Sequence, residues 1–182
     1  MKVLFLDIDG VLNTSEWLKD RVKGTEDRDA YYLSMIDPAA VGLLNQVLER
    51  TGCEVVLSST WRIAHERPAM QRLLEIKGFN GAILDYTPRK GTEAIPIRRK
   101  PGGPWVNAKF SEYVDRGYEI HAWLEKHPEV TSFAILDDES DMAHLKHRLV
   151  QTSFQHWAEY PEGPLGMHQG TVDDLVAMLN GE

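Results

Sequence analysis

The chain opens on an apolar run that ends in acid. Val3-Leu4-Phe5-Leu6 leads directly into Asp7-Ile8-Asp9-Gly10-Val11-Leu12-Asn13. Four apolar residues without alternation mark a strand buried on both faces, as in a parallel sheet covered by helices. Such sheets gather their ligands at the carboxyl ends of the strands, where Asp7 and Asp9 fall. Residues i and i+2 of an extended chain point the same way, so the two carboxylates can share a side. Gly10 then lets the backbone turn sharply. Two acids at the end of an apolar strand have little structural purpose, but their oxygens suit a hard divalent cation.

The rest of the chain alternates helix-like and strand-like stretches. Residues Thr14 to Met35 are polar and charge-rich without a clear period, include Trp17, Tyr31 and Tyr32, and read as a long loop or a small helical insertion. Asp37-Pro38 looks like an N-cap with proline at the first helical position. Val41, Leu44, Val47 and Leu48 follow at helical spacing, and Gly52 closes that helix. Glu54-Val55-Val56-Leu57 is a second strand that runs into Ser58-Ser59-Thr60-Trp61-Arg62. A helix over Pro68 to Lys77 rests on Met70, Leu73 and Leu74, with Gly78 as its stop, and Ala82-Ile83-Leu84 is a short third strand. Asp85 to Trp105 reads as a loop carrying Arg89, Lys90, Arg98, Arg99 and Lys100 with four prolines. A loop of that length inside a compact domain favours a functional or partly disordered role.

A helix from Arg116-Gly117 through Ile120, Trp123 and Leu124 to Pro128 comes next, and Phe133-Ala134-Ile135-Leu136 is a fourth strand ending in Asp137-Asp138. Met142 and Leu145 suit a short helix, and Leu149-Val150 a fifth strand. Ser153 to Gln169, with Trp157 and Tyr160, reads as an irregular loop. Thr171 with Asp174 three residues on resembles a capping box opening the last helix, to Leu179. The expected architecture is α/β, one domain over residues 1–182 with a central parallel sheet of about five strands covered on both faces, and insertions near 14–36 and 85–115.

Parallel strands put their carboxyl ends on one edge. Three of the expected ends are polar: Asp7/Asp9, Ser58/Ser59 and Asp137/Asp138. Acids crowded into a dry site repel one another, and Mg2+ with a few carboxylates, water and substrate phosphate is the natural remedy. No His/Cys cluster supports a zinc site; His144 and His147 read as surface residues. Cys53 lies ahead of its strand and reads as a buried small residue. Ser58 either caps the turn that follows it or offers a hydroxyl to phosphoryl oxygens. Arg116 is either a solvated arginine at a helix start or part of the site.

These features together resemble the haloacid dehalogenase (HAD) superfamily. Its first motif, a strand followed by Asp-x-Asp-Gly-x, is met by Asp7-Ile8-Asp9-Gly10-Val11, its second by Leu57-Ser58, and its fourth by Ile135-Leu136-Asp137-Asp138. For the basic third motif, usually lysine, Arg116 is the best match and Lys109 the runner-up. Ser58-Ser59-Thr60-Trp61-Arg62, Thr87-Pro88, Arg116-Gly117-x-Glu119-Ile120-x-x-Trp123-Leu124 and Gly166-Met167 look further like the small HAD domains of RNA-repair "Swiss Army knife" proteins. The resemblance implies a Rossmann-like three-layer fold with small or loop-like cap insertions, Mg2+, and phosphoryl transfer. It casts Asp7 as nucleophile, Asp9 as acid/base, and Ser58 and Arg116 as supports for the phosphoryl oxygens. Asp7, the Asp9 backbone carbonyl, Asp137 and Asp138 are the implied metal ligands. Ser59, Arg62, Lys109, Arg98 and Arg99 are further candidates for substrate binding.

The expected substrate is a phosphorylated one: a nucleotide, an RNA or DNA end such as a 3′-phosphate, or a small phosphate ester. A second class of function is a non-catalytic phosphate-binding or interaction module, although degenerate enzymes normally lose the nucleophile and Asp7 is present. Dehalogenation would not need Asp9. The net charge of −8 argues against general duplex binding, and neither a membrane partner nor an obligate protein partner is expected. The first apolar run is too short for a signal or a span, so the expected location is cytoplasmic.

Overall fold

The computed structural model describes residues 1–19, 21, 27–89, 93–109, 113–156 and 163–181; Lys90, Trp157 and Tyr160 lie outside them. The opening apolar run forms β1 (Lys2–Leu6), which is followed by a one-turn helix α1 (Ser15–Leu18), α2 (Arg28–Met35), α3 (Pro38–Thr51) and β2 (Glu54–Leu57). A 3₁₀ turn (Thr60–Ile63) leads to α4 (Arg67–Ile76) and β3 (Ile83–Tyr86). The short strands β4 (Pro96–Ile97) and β5 (Val106–Asn107) precede α5 (Arg116–Leu124) and β6 (Ser132–Asp137). A second 3₁₀ stretch (Ala143–Arg148), β7 (Leu149–Gln151) and α6 (Gln169–Asn180) complete the order.

The main sheet has five strands in the order β3-β2-β1-β6-β7, and all its pairings are parallel. β1 is central because its residues are apolar on both sides. Leu4 and Leu6 pack with Val41, Leu44 and Val47 of α3, Met70 and Leu74 of α4, and Leu175 of α6. Val3 and Phe5, alternating with them, face Ile120 and Trp123 of α5 and Met142. Phe5 meets Trp123 and Phe133 edge-on, at centroid distances of 5.4 and 5.9 Å. Helix layers on both faces leave the strand ends as the place where polar side chains can converge.

The expected α/β architecture is the observed one, and the α3 start follows the expected chemistry: Asp37 accepts from the Ala39 amide at 2.8 Å, ahead of Pro38. Cys53 is buried, while His144 and His147 are exposed. Three local expectations are corrected. The stretch 85–105 is not wholly loop. β3 extends to Tyr86, and β4 pairs antiparallel with β5, with Ile95 and Ile97 packed on Ala122 of α5. That burial orders a segment whose own pattern is uninformative. The last helix begins at Gln169, with His168 rather than Thr171 at its N-cap. The His168 side chain accepts from the Thr171 amide, and Thr171 Oγ1 accepts from the His168 amide, each at 3.4 Å. Helix α5 ends at Leu124, short of the Pro128 expected. No helix among the described residues is long and apolar enough to cross a membrane.

Candidate active site

β1 delivers Asp7 between two neighbours. The Asp7 amide donates to Leu136 O at 3.0 Å, and the Ser58 amide donates to Leu6 O at 2.9 Å, so the ladders that build the sheet also fix the three strand ends. One carboxylate oxygen from each of Asp7, Asp137 and Asp138 lies within 4.8 Å of the others. Asp7 is 4% and Asp137 0% exposed. Gly10 is what admits Asp138. Its φ is +72°, and a Cβ there would stand 2.4 Å from Asp138 Cγ. The same turn is tied across the sheet by Thr152 Oγ1, which donates to Gly10 O at 2.7 Å.

Arg116 closes the acidic cluster. Its Nη1 lies 3.1 Å from Asp7 Oδ2 and also bonds Asp137 Oδ2. The start of α5 is pinned to place it there. The Arg116 amide donates to Asp141 Oδ2 at 3.1 Å, and the Gly117 amide donates to Asp141 O at 3.1 Å. A Cβ on Gly117 would stand 2.0 Å from Met142 O, so only glycine allows the helix to seat this closely. The other basic candidate, Lys109, is exposed and lines a groove in the β4–β5 segment.

The charges remain out of balance in spite of Arg116. Burial, then the neighbouring Asp7, push Asp137 up to about 8, and Arg116 and the Glu139 amide offset this only in part. Burial, Asp7 and Glu139 push Asp138 up to about 6. Burial works against the Arg116 charge, but Asp7 and Asp137 outweigh it and the guanidinium stays charged. Two neighbouring acids displaced upward, Asp137 buried and Asp138 half-buried, mark a site short of positive charge. Clustered oxygen donors with that deficit fit a hard divalent cation. Beside them, Ser58 Oγ is buried without a hydrogen-bond partner, which leaves a donor for an incoming oxygen.

Asp9 is held apart from the cluster. Its two oxygens accept from Asn13 Nδ2 and from Trp61 Nε1, each at 2.9 Å, and Asn13 Oδ1 in turn accepts from the Gly10 amide at 3.0 Å. Ser59 caps the 3₁₀ turn through a 3.4 Å contact from the Trp61 amide. Arg62 bonds Glu119 and Ser59 O, each at 2.6 Å, and also Ser58 O. It therefore straps the end of β2 to α5. Arg98 covers Trp105 at 4.3 Å, and Trp105 stacks on His121. Arg99, Lys100 and Lys109 line a groove of about 460 Å³ with Gly103, Pro104 and Val106.

The structure thus brings Asp7, Asp137, Asp138 and Arg116 into one cluster, with Ser58 and Asp9 beside it. Arg98, Arg99 and Lys109 belong to the β4–β5 segment. Trp61, Asn13, Thr152, Asp141 and Glu119 had no assigned part from sequence. Asn13 sits within the opening motif, and its spacing from Asp9 is the one signal that could have exposed it. The others act across the fold.

Compared with known proteins, residues 3–156 match the family described as the HAD domain in Swiss Army Knife RNA repair proteins. No curated protein and no solved structure gave a match. The chain belongs to that family. Membership supports a HAD-type hydrolase in general, and HAD domains generally use Mg2+.

Proposed function

We propose that the chain is a Mg2+-dependent phosphatase working through an aspartyl-phosphate on Asp7, with a polynucleotide 3′-end or a nucleotide as substrate. The observation that carries this reading is the buried Asp7 carboxylate, placed within 4.8 Å of Asp137 and Asp138 and bonded to Arg116 at 3.1 Å.

Asp7 attacks phosphorus. One of its carboxylate oxygens forms the new O–P bond as the bond to the leaving oxygen breaks. Asp9 gives its proton to that oxygen. It then takes a proton from a water whose oxygen attacks the aspartyl-phosphate, releasing phosphate and regenerating Asp7. Ser58 Oγ and Arg116 orient the phosphoryl oxygens, where positioning and charge supply most of the catalysis. Trp61 and Asn13 keep Asp9 directed. Asp7, Asp137, Asp138 and the Asp9 backbone carbonyl would hold the cation, which when bound screens nucleophile from phosphate. The nucleic-acid preference rests on the family's description and on the cationic groove of Arg99, Lys100 and Lys109.

The test compares an aryl phosphate, 5′- and 3′-nucleotides, and oligonucleotides phosphorylated at either end. Mg2+-dependent release of phosphate, stopped by EDTA and by Asp7→Asn with an unchanged melting temperature, is expected, with the 3′-phosphorylated oligonucleotide preferred. Wild-type turnover by Asp7→Asn would remove the nucleophile assignment. A preference for the aryl phosphate over every nucleotide would remove the substrate class.

A further inference from the structure

Arg62 and Glu119 form an ion pair that is largely out of the water. The Arg62 side chain is 6% exposed and that of Glu119 13%, with Nη2 and Oε2 2.6 Å apart. Arg62 belongs to the 3₁₀ turn after β2, and Glu119 to the first turn of α5. Stability is a poor reason for such a pair, because desolvation of the two charges offsets most of their attraction. Arg62 shows that penalty. Its Nε is buried without a hydrogen bond, and burial pushes the guanidinium below its usual range in spite of Glu119. Arg50 and Asp173, at 2.7 Å on the surface, join α3 to α6 without it.

The contacts of the pair lead to the two groups assigned to the phosphoryl oxygens. Arg62 Nη1 donates to Ser58 O and, at 2.6 Å, to Ser59 O. The Ser58 amide already donates to Leu6 O at 2.9 Å, so both main-chain polar atoms of Ser58 are held. On the other side of the guanidinium, Glu119 follows Arg116 by three residues, and side chains at that spacing are neighbours on a helix. One turn of α5 therefore presents a cation to Asp7, at 3.1 Å, and an anion to Arg62. A planar guanidinium directs its donors at fixed angles to two carbonyls and a carboxylate together, which the compact ammonium of lysine does not.

We propose that Arg62 and Glu119 are positioning residues that fix the separation of Ser58 Oγ from the Arg116 guanidinium and touch no substrate themselves. The inference rests on the phosphatase reading, in which Ser58 and Arg116 orient the phosphoryl oxygens. The phosphoryl group is common to every candidate substrate, so a change in that separation costs all of them the same factor.

Arg62→Lys and Glu119→Gln test this on an aryl phosphate and on a 3′-phosphorylated oligonucleotide, with Mg2+. Each should lower kcat by about 10- to 100-fold, within what a displacement near 1 Å can cost, and by equal factors on the two substrates. Glu119→Gln keeps the size and an acceptor oxygen, which covers the case of a misfolded Arg62 variant. Arg50→Ala, which breaks the surface pair, should keep the wild-type rate. Adding Glu119→Gln to Arg116→Met should lower the melting temperature again but kcat little further, because the separation has lost one of its ends. Wild-type kcat in both single variants, with only the melting temperature lowered, would make the pair merely structural and overturn the proposal. A severalfold greater loss on the oligonucleotide would make Arg62 a substrate contact and overturn it equally. Orthovanadate, which takes the five-coordinate geometry of a transferring phosphoryl group, supplies a readout without turnover. In calorimetry with Mg2+ both single variants should bind it severalfold more weakly than wild type. A chain that hydrolyses nothing yet shows this loss keeps the positioning pair and removes the phosphatase reading; one that neither hydrolyses an ester nor binds vanadate removes both.

Discussion

The acidic strand ends and the basic β4–β5 segment are held by different means. Asp7, Ser58 and Asp137 each stand next to a main-chain ladder bond: Asp7 N to Leu136 O, Ser58 N to Leu6 O, and Thr152 N to Asp137 O, at 2.9 to 3.0 Å. The β4–β5 pair has two residues per strand and leans on α5 through Ile95, Ile97 and the bond from the Tyr118 hydroxyl to Arg98 O. Groups that must meet a reacting atom tolerate little displacement, whereas long cationic side chains reach phosphates from many backbone positions. Under the proposed function, the sheet edge carries the chemistry and the insertion carries the choice of substrate, the usual division between scaffold and loop.

The comparison breaks most sharply at Asp9. Asp9→Asn should lower turnover by about 10²–10⁴, the typical worth of general acid–base catalysis, while a thermal melt stays near wild type because Asp9 is only half-buried. A variant that kept its rate would move the proton shuttle elsewhere. Arg116→Met comes next. It leaves Asp7 and Asp137 buried without their counter-charge, and breaking such a pair costs up to about 3–5 kcal/mol. The melting temperature should fall in EDTA and recover in part with Mg2+; no recovery on adding Mg2+ would deny that the cluster takes a cation. Gly117→Ala should cost about 1–3 kcal/mol through overpacking, because the new methyl meets Met142 O. It should also lower turnover by shifting Arg116. Unchanged stability and rate would show that α5 seats loosely. The smallest effect belongs to the insertion. Neutralising Arg98, Arg99 and Lys100 together should raise KM severalfold for an oligonucleotide, less so at high salt, and leave an aryl phosphate nearly untouched. Equal effects on both substrates would erase the difference between the two regions.

The same contrast explains what could be read from the residues. Apolar runs ending in polar residues located β1, β2 and β6, because a strand covered on both faces must be apolar throughout, and the acids and serines at their ends then fell on one edge. Arg116 was placed at a helix start, but its contact with Asp7 depends on how α5 seats against Met142. Trp61 and Glu119 were in view as residues and invisible as partners, since Asp9 and Arg62 lie far from them in sequence. The β4–β5 pair begins at a proline and is too short for a period, so its order comes from packing on α5. His168 was passed over as a cap because serine, threonine, aspartate and asparagine usually fill that position, and a histidine nitrogen does the same work here.

The position of β1 at the centre of the sheet has a consequence in time as well as in space. With β2 on one side and β6 on the other, the Asp7 amide bonded to Leu136 O cannot meet solvent by fraying at an edge. Its hydrogen should exchange only through openings that approach global unfolding, among the slowest in the molecule. Under the proposed function, the attacking group placed there draws its alignment from the cooperativity of the whole domain, and its aim persists for as long as the protein stays folded.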